Sequence, residues 1–216
     1  MKDTKKLVTS AMLIAIGTVL ALMCEYIPFL HLPFGGTIKI ASKLPIILIA
    51  YMYGTPWGLF SAFVFSVIQL FIGGNTVSAL FTPTSDSFMG IGIAVLVVLL
   101  DYILAFTVLG FGGIFRDKMK KSTAIILGTL LSMFLCYLFH VLSGAIFYGA
   151  WAEWFFTDTA LADLGVSKWI IGNLKGATLA TVYSLVYNAC YMLPETVLTV
   201  IAAIPIARIP QIKKYE

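Results

Sequence analysis

Charge is scarce in this chain. Lys and Arg number 14 and Asp and Glu 10 among 216 residues, together 11%, where a soluble domain carries about 25%. With apolar side chains at 60% and a mean hydropathy of +0.99, a water-soluble globule is excluded. Histidine and cysteine are rarer still, at two and three residues. Cys24, Cys136 and Cys190 are odd in number and lack metal-ligand spacing, which leaves them as small apolar packers. No Cys-x-x-Cys, His-Glu-x-x-His or Gly-x-Ser-x-Gly pattern occurs, so these metal, thiol and serine-hydrolase signatures are missing. Ser143 follows His140 by three residues on one predicted helix, without a third group to make a nucleophile–base pair. Nor is there a Gly-x-x-x-x-Gly-Lys-Ser/Thr loop. ATP hydrolysis by a P-loop mechanism is excluded, so any energy-driven process would have to draw on a partner.

What the chain has in quantity is long apolar runs. A bilayer core of about 30 Å needs about 20 helical residues. Six spans can be drawn: Leu7–Phe29, Leu44–Tyr53, Trp57–Ile72, Phe88–Phe115, Ser122–Gly149 and Leu174–Ala207. The second is short for a full crossing. Gly and Pro punctuate the boundaries at Pro28, at Gly54 to Pro56 and at Gly73-Gly74. The opening MKDTKK before an apolar run resembles a signal peptide but lacks a small-residue cleavage pattern, so it is expected to remain as the first helix. Residues 1–216 thus read as a single all-α, six-helix integral membrane domain.

Basic residues sit at the span ends, which points to topology rather than nucleic-acid binding. With both termini inside, that face holds Lys2, Lys5, Lys6, Arg116, Lys118, Lys120, Lys121, Arg208, Lys213 and Lys214, and the outside holds Lys39, Lys43, Lys168 and Lys175. Ten against four follows the positive-inside rule and makes the termini cytoplasmic. The long loops (31–42, around 83–86, and 150–173) then all lie outside, where they can close over a site.

Asp101 stands in the middle of the fourth apolar span. An ionised Asp at mid-bilayer costs roughly 2.5–3.5 kcal/mol on insertion scales, so it is expected to face a cavity or a partner. His140, Tyr148, Tyr183, Asn188 and Gln69 join it as intramembrane polar residues on other spans. His140 lies nine residues before the outer end of its span, roughly 14 Å deep at 1.5 Å per residue. Similar depths suit one pocket in the outer half. Tyr183 and Asn188 are about 140° apart around a straight helix, so both line it only if it is wide or the helix is distorted. An anion, an imidazole, amides and aromatic rings suit a flat, positively charged heterocycle, with cation–π attraction of about 0.5–2 kcal/mol per ring. Interhelical glue is the bland alternative, and an intramembrane enzyme using His140 and Asp101 is a further one.

Three strings carry a family resemblance: LDYILAFTVLGFGGIF (Leu100–Phe115), YLFHVLSGAIFYG (Tyr137–Gly149) and VYSLVYNACYMLP (Val182–Pro194). With a weaker match over GGTIKIASKLPIIL (Gly35–Leu48) and the WGLFSAF segment leading to Gln69, the chain resembles the thiamine-specific S components of energy-coupling factor transporters. The resemblance implies an S-component fold in a bacterial plasma membrane, thiamine as ligand and no cofactor. It also implies a transmembrane coupling subunit and two ATPases as partners. It places the aminopyrimidine contact on Asp101, with Tyr102 beside it. His140 and Tyr148 would flank the thiazolium, Tyr183 and Asn188 would serve the pyrimidine side, and Ala11 and Ala15 would form the docking surface for the coupling subunit. Departures are the short carboxylate at Asp101, Cys136 where some members have Lys, Tyr148 where some have Trp, and extended segments at 81–87 and 150–173. These departures leave open another vitamin or precursor, such as riboflavin or a pyrimidine.

Overall fold

The computed structural model describes residues 2–215, without the Lys2 side chain that the charge count includes. Besides two short 3-10 turns (Pro28–Leu30 and Gly149–Trp151), nine longer helical elements follow one another among them: α1 (Lys2–Glu25), α2 (Leu44–Tyr53), α3 (Thr55–Ile72), α4 (Gly74–Phe81), α5 (Ile91–Gly113), α6 (Lys121–Phe147), α7 (Ala152–Thr157), α8 (Gly165–Asn173) and α9 (Gly176–Ile206). Five of these (α1, α3, α5, α6 and α9) are long and apolar enough to cross a membrane, and α2 is a shorter apolar helix. All six expected spans are therefore present, with shifted ends. Helix α1 begins before the apolar run because Lys and Asp are tolerated in a solvated first turn. It ends at Glu25, ahead of the 3-10 turn that Pro28 opens. Two expected loops contain helices: α4 follows Gly73, and the 150–173 segment folds as α7 and α8. Their apolar patterns are too short to register as spans.

Helix α2 organises the bundle. Every residue from Leu44 to Met52 is buried, as expected for a helix apolar all round rather than on one stripe. Ile46, Ile47 and Ile49 pack with Phe65 of α3, Phe106 and Leu109 of α5, Cys136 of α6 and Met192 of α9. The crossings are close enough to demand glycine. A Cβ on Gly110 would lie 2.3 Å from the Leu59 backbone nitrogen, and one on Gly128 would lie 2.1 Å from the Gly112 carbonyl oxygen. The outward faces stay apolar: Leu7, Val8, Met12, Ile16, Val19 and Met23 of α1 are all exposed, which suits hydrocarbon and not water.

The chain ends and the two short connections meet at one basic end. Lys6 lies 4.0 Å from the Trp57 ring centroid. Arg116 donates to the Met52 and Tyr215 carbonyls at 3.3 and 3.2 Å, and the Tyr215 amide donates to Met52 at 2.8 Å. Lys214 pairs with Asp117 at 2.9 Å. This hydrogen bond holds the Asp117 carboxyl below its ordinary range. One charge assignment needs correction. Lys43, counted with the outer-loop cations, is 3% exposed and forms an ion pair with Glu195 of α9. It sits at the N-terminus of α2, which at 1.5 Å per residue puts it about 15 Å from the basic end, near mid-membrane.

Candidate binding site

Because α2 is only ten residues long, it fills about half of the bundle's thickness. The other half of its column holds the 26–43 segment and a cavity of about 340 Å³, within the range of small-molecule sites. Glu25 at the end of α1, Gln69 and Gly73 at the end of α3, Gly144 and Tyr148 at the end of α6 and Tyr183 near the start of α9 all line it. The cavity therefore occupies the half of the bundle away from the basic end.

Asp101 is carried on a π-helical stretch, Val98–Leu104, inside α5. Such a widening inserts an extra residue per turn, commonly at functional sites. Here it presents consecutive residues, Asp101 and Tyr102, to the cavity. The Asp101 carboxylate accepts from His140 Nδ1 at 3.0 Å and from Ser143 Oγ at 2.7 Å. Residues i and i+3 share a helix face, so His140 and Ser143 of α6 grip one carboxylate together. That spacing was the available signal for Ser143, which matters as a donor to Asp101 and not as a nucleophile. Nδ1 faces an ionised acceptor and thereby carries a proton. Each Asp101 oxygen keeps a second lone pair for a ligand.

The wall opposite is a tyrosine stripe on α9. Tyr183, Tyr187 and Tyr191 recur every four residues and line the cavity with Asn188. The 140° separation of Tyr183 and Asn188 is accommodated by width, since Ser184 and Tyr187 fill the arc between them. Phe155 of α7 packs on Tyr183 and Tyr187 at 5.3 and 5.8 Å, and Phe34 of the 26–43 segment packs on Phe155 at 5.2 Å. The 26–43 and 150–173 segments thus brace the stripe. Asn188 is largely engaged: its amide nitrogen donates to the Ser184 carbonyl at 2.8 Å, and its oxygen accepts from Tyr191 at 2.6 Å. Gln69 is different. It is 2% exposed, and its amide nitrogen has no partner among the described residues. A buried unpaired donor costs about 1–3 kcal/mol.

The structure brings together all seven residues singled out for a ligand, namely Asp101, Tyr102, His140, Tyr148, Tyr183, Asn188 and Gln69. Tyr148 lies just past the end of α6 rather than within it. Ala11 and Ala15 are not part of the cavity; they are exposed on α1. Sequence reasoning missed Glu25, Lys43, Tyr187, Tyr191 and Glu195. The Tyr-x-x-x-Tyr-x-x-x-Tyr repeat from 183 to 191 was a legible signal. The joining of Lys43 to Glu195, 152 positions apart, was not.

Comparison with known proteins decides the family. The model of the thiamine transporter protein family (Thia_YuaJ) matches residues 7–154. The chain belongs to that family. The thiamine transporter ThiT of Bacillus subtilis is 29% identical over 204 residues, 87% of this chain and 84% of the relative. That of Lacticaseibacillus paracasei is 25% identical over 198 residues, 87% and 81% of the two chains. A solved structure of ThiT from Listeria monocytogenes superposes over the whole of both chains with a TM-score of 0.61 at 20% identity, and so shares the fold. Membership of this transporter family, with its several apolar helices, makes the chain a multi-pass membrane protein and a transporter rather than an enzyme.

Proposed function

We propose that this chain is the substrate-capturing S component of an energy-coupling factor importer and that its ligand is thiamine. The observation that carries the reading is the charge and shape of the cavity. Of the three carboxylates in its lining, Glu25 pairs with Lys39 and Glu195 with Lys43, which leaves Asp101 as the carboxylate without a lysine partner. Thiamine carries one permanent positive charge on a flat ring and an amino group on a second. The thiazolium stacks between aromatic faces, with His140 and Tyr148 on its two sides. The aminopyrimidine donates to Asp101 and accepts from the unpaired amide of Gln69. Membership of a thiamine transporter family supports the same ligand. On this reading the basic end faces the cytoplasm and the cavity faces out.

Energy for transport comes from a partner. Ala11 and Ala15, exposed around the middle of α1, are small enough to let a coupling helix approach closely. That coupling subunit would bring two ATPases. The test of ligand class is titration of the purified protein with thiamine while following intrinsic Trp and Tyr fluorescence, with quenching expected at sub-micromolar concentrations. Silence towards thiamine with a clear response to riboflavin or another vitamin would transfer the assignment to that vitamin.

A further inference from the structure

We infer that Lys43 and Glu195 form a subsite that reads the polar tail of the ligand, accepting a hydroxyl and rejecting a phosphate ester. The inference rests on the thiamine reading and extends it to the floor of the cavity. Glu195 is the deepest α9 residue in the lining, seven positions below Asn188, or about 10 Å along the helix. Its side chain and that of Lys43 are 1% and 4% exposed and are bonded to each other. The Lys43 ammonium lies 5.6 Å from the Phe106 ring centroid. The backbone leading into it is unusual: Ala41 has φ +54°, alone among the described non-glycine residues in being positive. Such conformations persist where the surroundings over-determine them, commonly at ligand sites.

Packing alone does not call for this pair. Two charges taken out of water lose hydration that their attraction seldom exceeds, and apolar replacements of similar volume are often as stable. Ligand chemistry supplies a reason for it. An ammonium has three donors, and Lys43 uses one on Glu195. A carboxylate has lone pairs beyond the one in that bond. A hydroxyl both donates and accepts, so it can bridge the pair, accepting from Lys43 and donating to Glu195. An ethyl tail satisfies neither group. A phosphate ester can accept from Lys43 only while placing its charge against Glu195, and the closed pair offers it no net positive charge.

The test uses the full chain purified in detergent and calorimetric titration with three probes: thiamine, its analogue with an ethyl in place of the hydroxyethyl tail, and thiamine monophosphate. Wild type is expected to prefer thiamine to the ethyl analogue by about tenfold, the usual worth of a charge-assisted hydrogen bond. Lys43→Met with Glu195→Met removes both charges and keeps the volume, and is expected to bind the two probes alike. Glu195→Gln releases Lys43 and is expected to improve monophosphate relative to thiamine by about tenfold. The subsite is overturned if the double variant keeps the full hydroxyl preference, if Glu195→Gln leaves the monophosphate-to-thiamine ratio unchanged, or if wild type ignores the tail. Should Glu195→Gln fail to fold, the double variant decides by itself. A wild type that does not bind thiamine at all overturns the ligand reading and the tail subsite with it.

Discussion

Replacing Asp101 by Asn tests the centre of the site with least change in shape. The native carboxylate accepts two hydrogen bonds, from His140 Nδ1 at 3.0 Å and Ser143 Oγ at 2.7 Å. Asparagine offers one acceptor atom and one NH2 group. Its oxygen can keep the His140 bond, while the Ser143 hydroxyl rotates to accept from the new NH2 group, so the empty protein stays satisfied. Folding is expected to change little, since the substitution deletes a charge at membrane depth. Binding is expected to suffer, because the ligand's amino group loses an ionised acceptor and meets an amide donor on one side. A charge-assisted hydrogen bond contributes about 1.5–3 kcal/mol, so the dissociation constant should rise about ten- to a hundredfold. Calorimetric titration of both proteins with thiamine gives this ratio, and detergent melting curves without ligand give the stability change. Ser143→Ala supplies the scale: it removes one supporting bond and should cost less than Asp101→Asn. Unchanged affinity in Asp101→Asn would refute the reasoning and make the carboxylate a link between α5 and α6.

Gln69→Met should act with opposite signs, raising the melting temperature of the empty protein by removing a buried unpaired amide and weakening ligand binding by about 1 kcal/mol; a loss of both would assign Gln69 to packing. Gly128→Ala places a methyl 2.1 Å from the Gly112 carbonyl oxygen and should destabilise the α5–α6 crossing by about 1–3 kcal/mol in a thermal melt. Ala15→Trp, which adds bulk to an exposed α1 face, should abolish cellular uptake while leaving binding by the isolated subunit intact; full uptake would remove this face as the docking surface. Docking of the C-terminal tail should depend on acid. Asp117 is held below its ordinary range by Lys214, so its contribution is complete above pH about 4 and is lost as pH falls through the lowered value. Protection of the Tyr215 amide, which donates to Met52, measured against its intrinsic exchange rate at each pH, should fall over that acidic window and hold between neutral pH and pH 5.

The class, the number of apolar helices and the polar residues inside them follow from composition and hydropathy along the chain. Hydropathy over 18 or more residues is a local property, set by the cost of exposing polar groups to hydrocarbon, and it survives any arrangement of the helices. Asp101 could be marked for the same reason: an isolated carboxylate in a long apolar run is costly wherever that run packs. Helices α4, α7 and α8 escaped notice because six to nine residues carry too little periodicity to separate a helix from a loop. The shortness of α2 was legible in its sequence, but packing in three dimensions was needed to show that the space beyond it is a cavity, that a π-helical turn puts Asp101 and Tyr102 on one wall, and that Ser143 steadies the carboxylate. The tertiary structure also moved Lys43 from an outer loop to the cavity floor. Partners 152 positions apart leave no trace in local composition; a charge that is affordable only when paired looks, along the chain, like any other loop lysine until packing brings Glu195 to it.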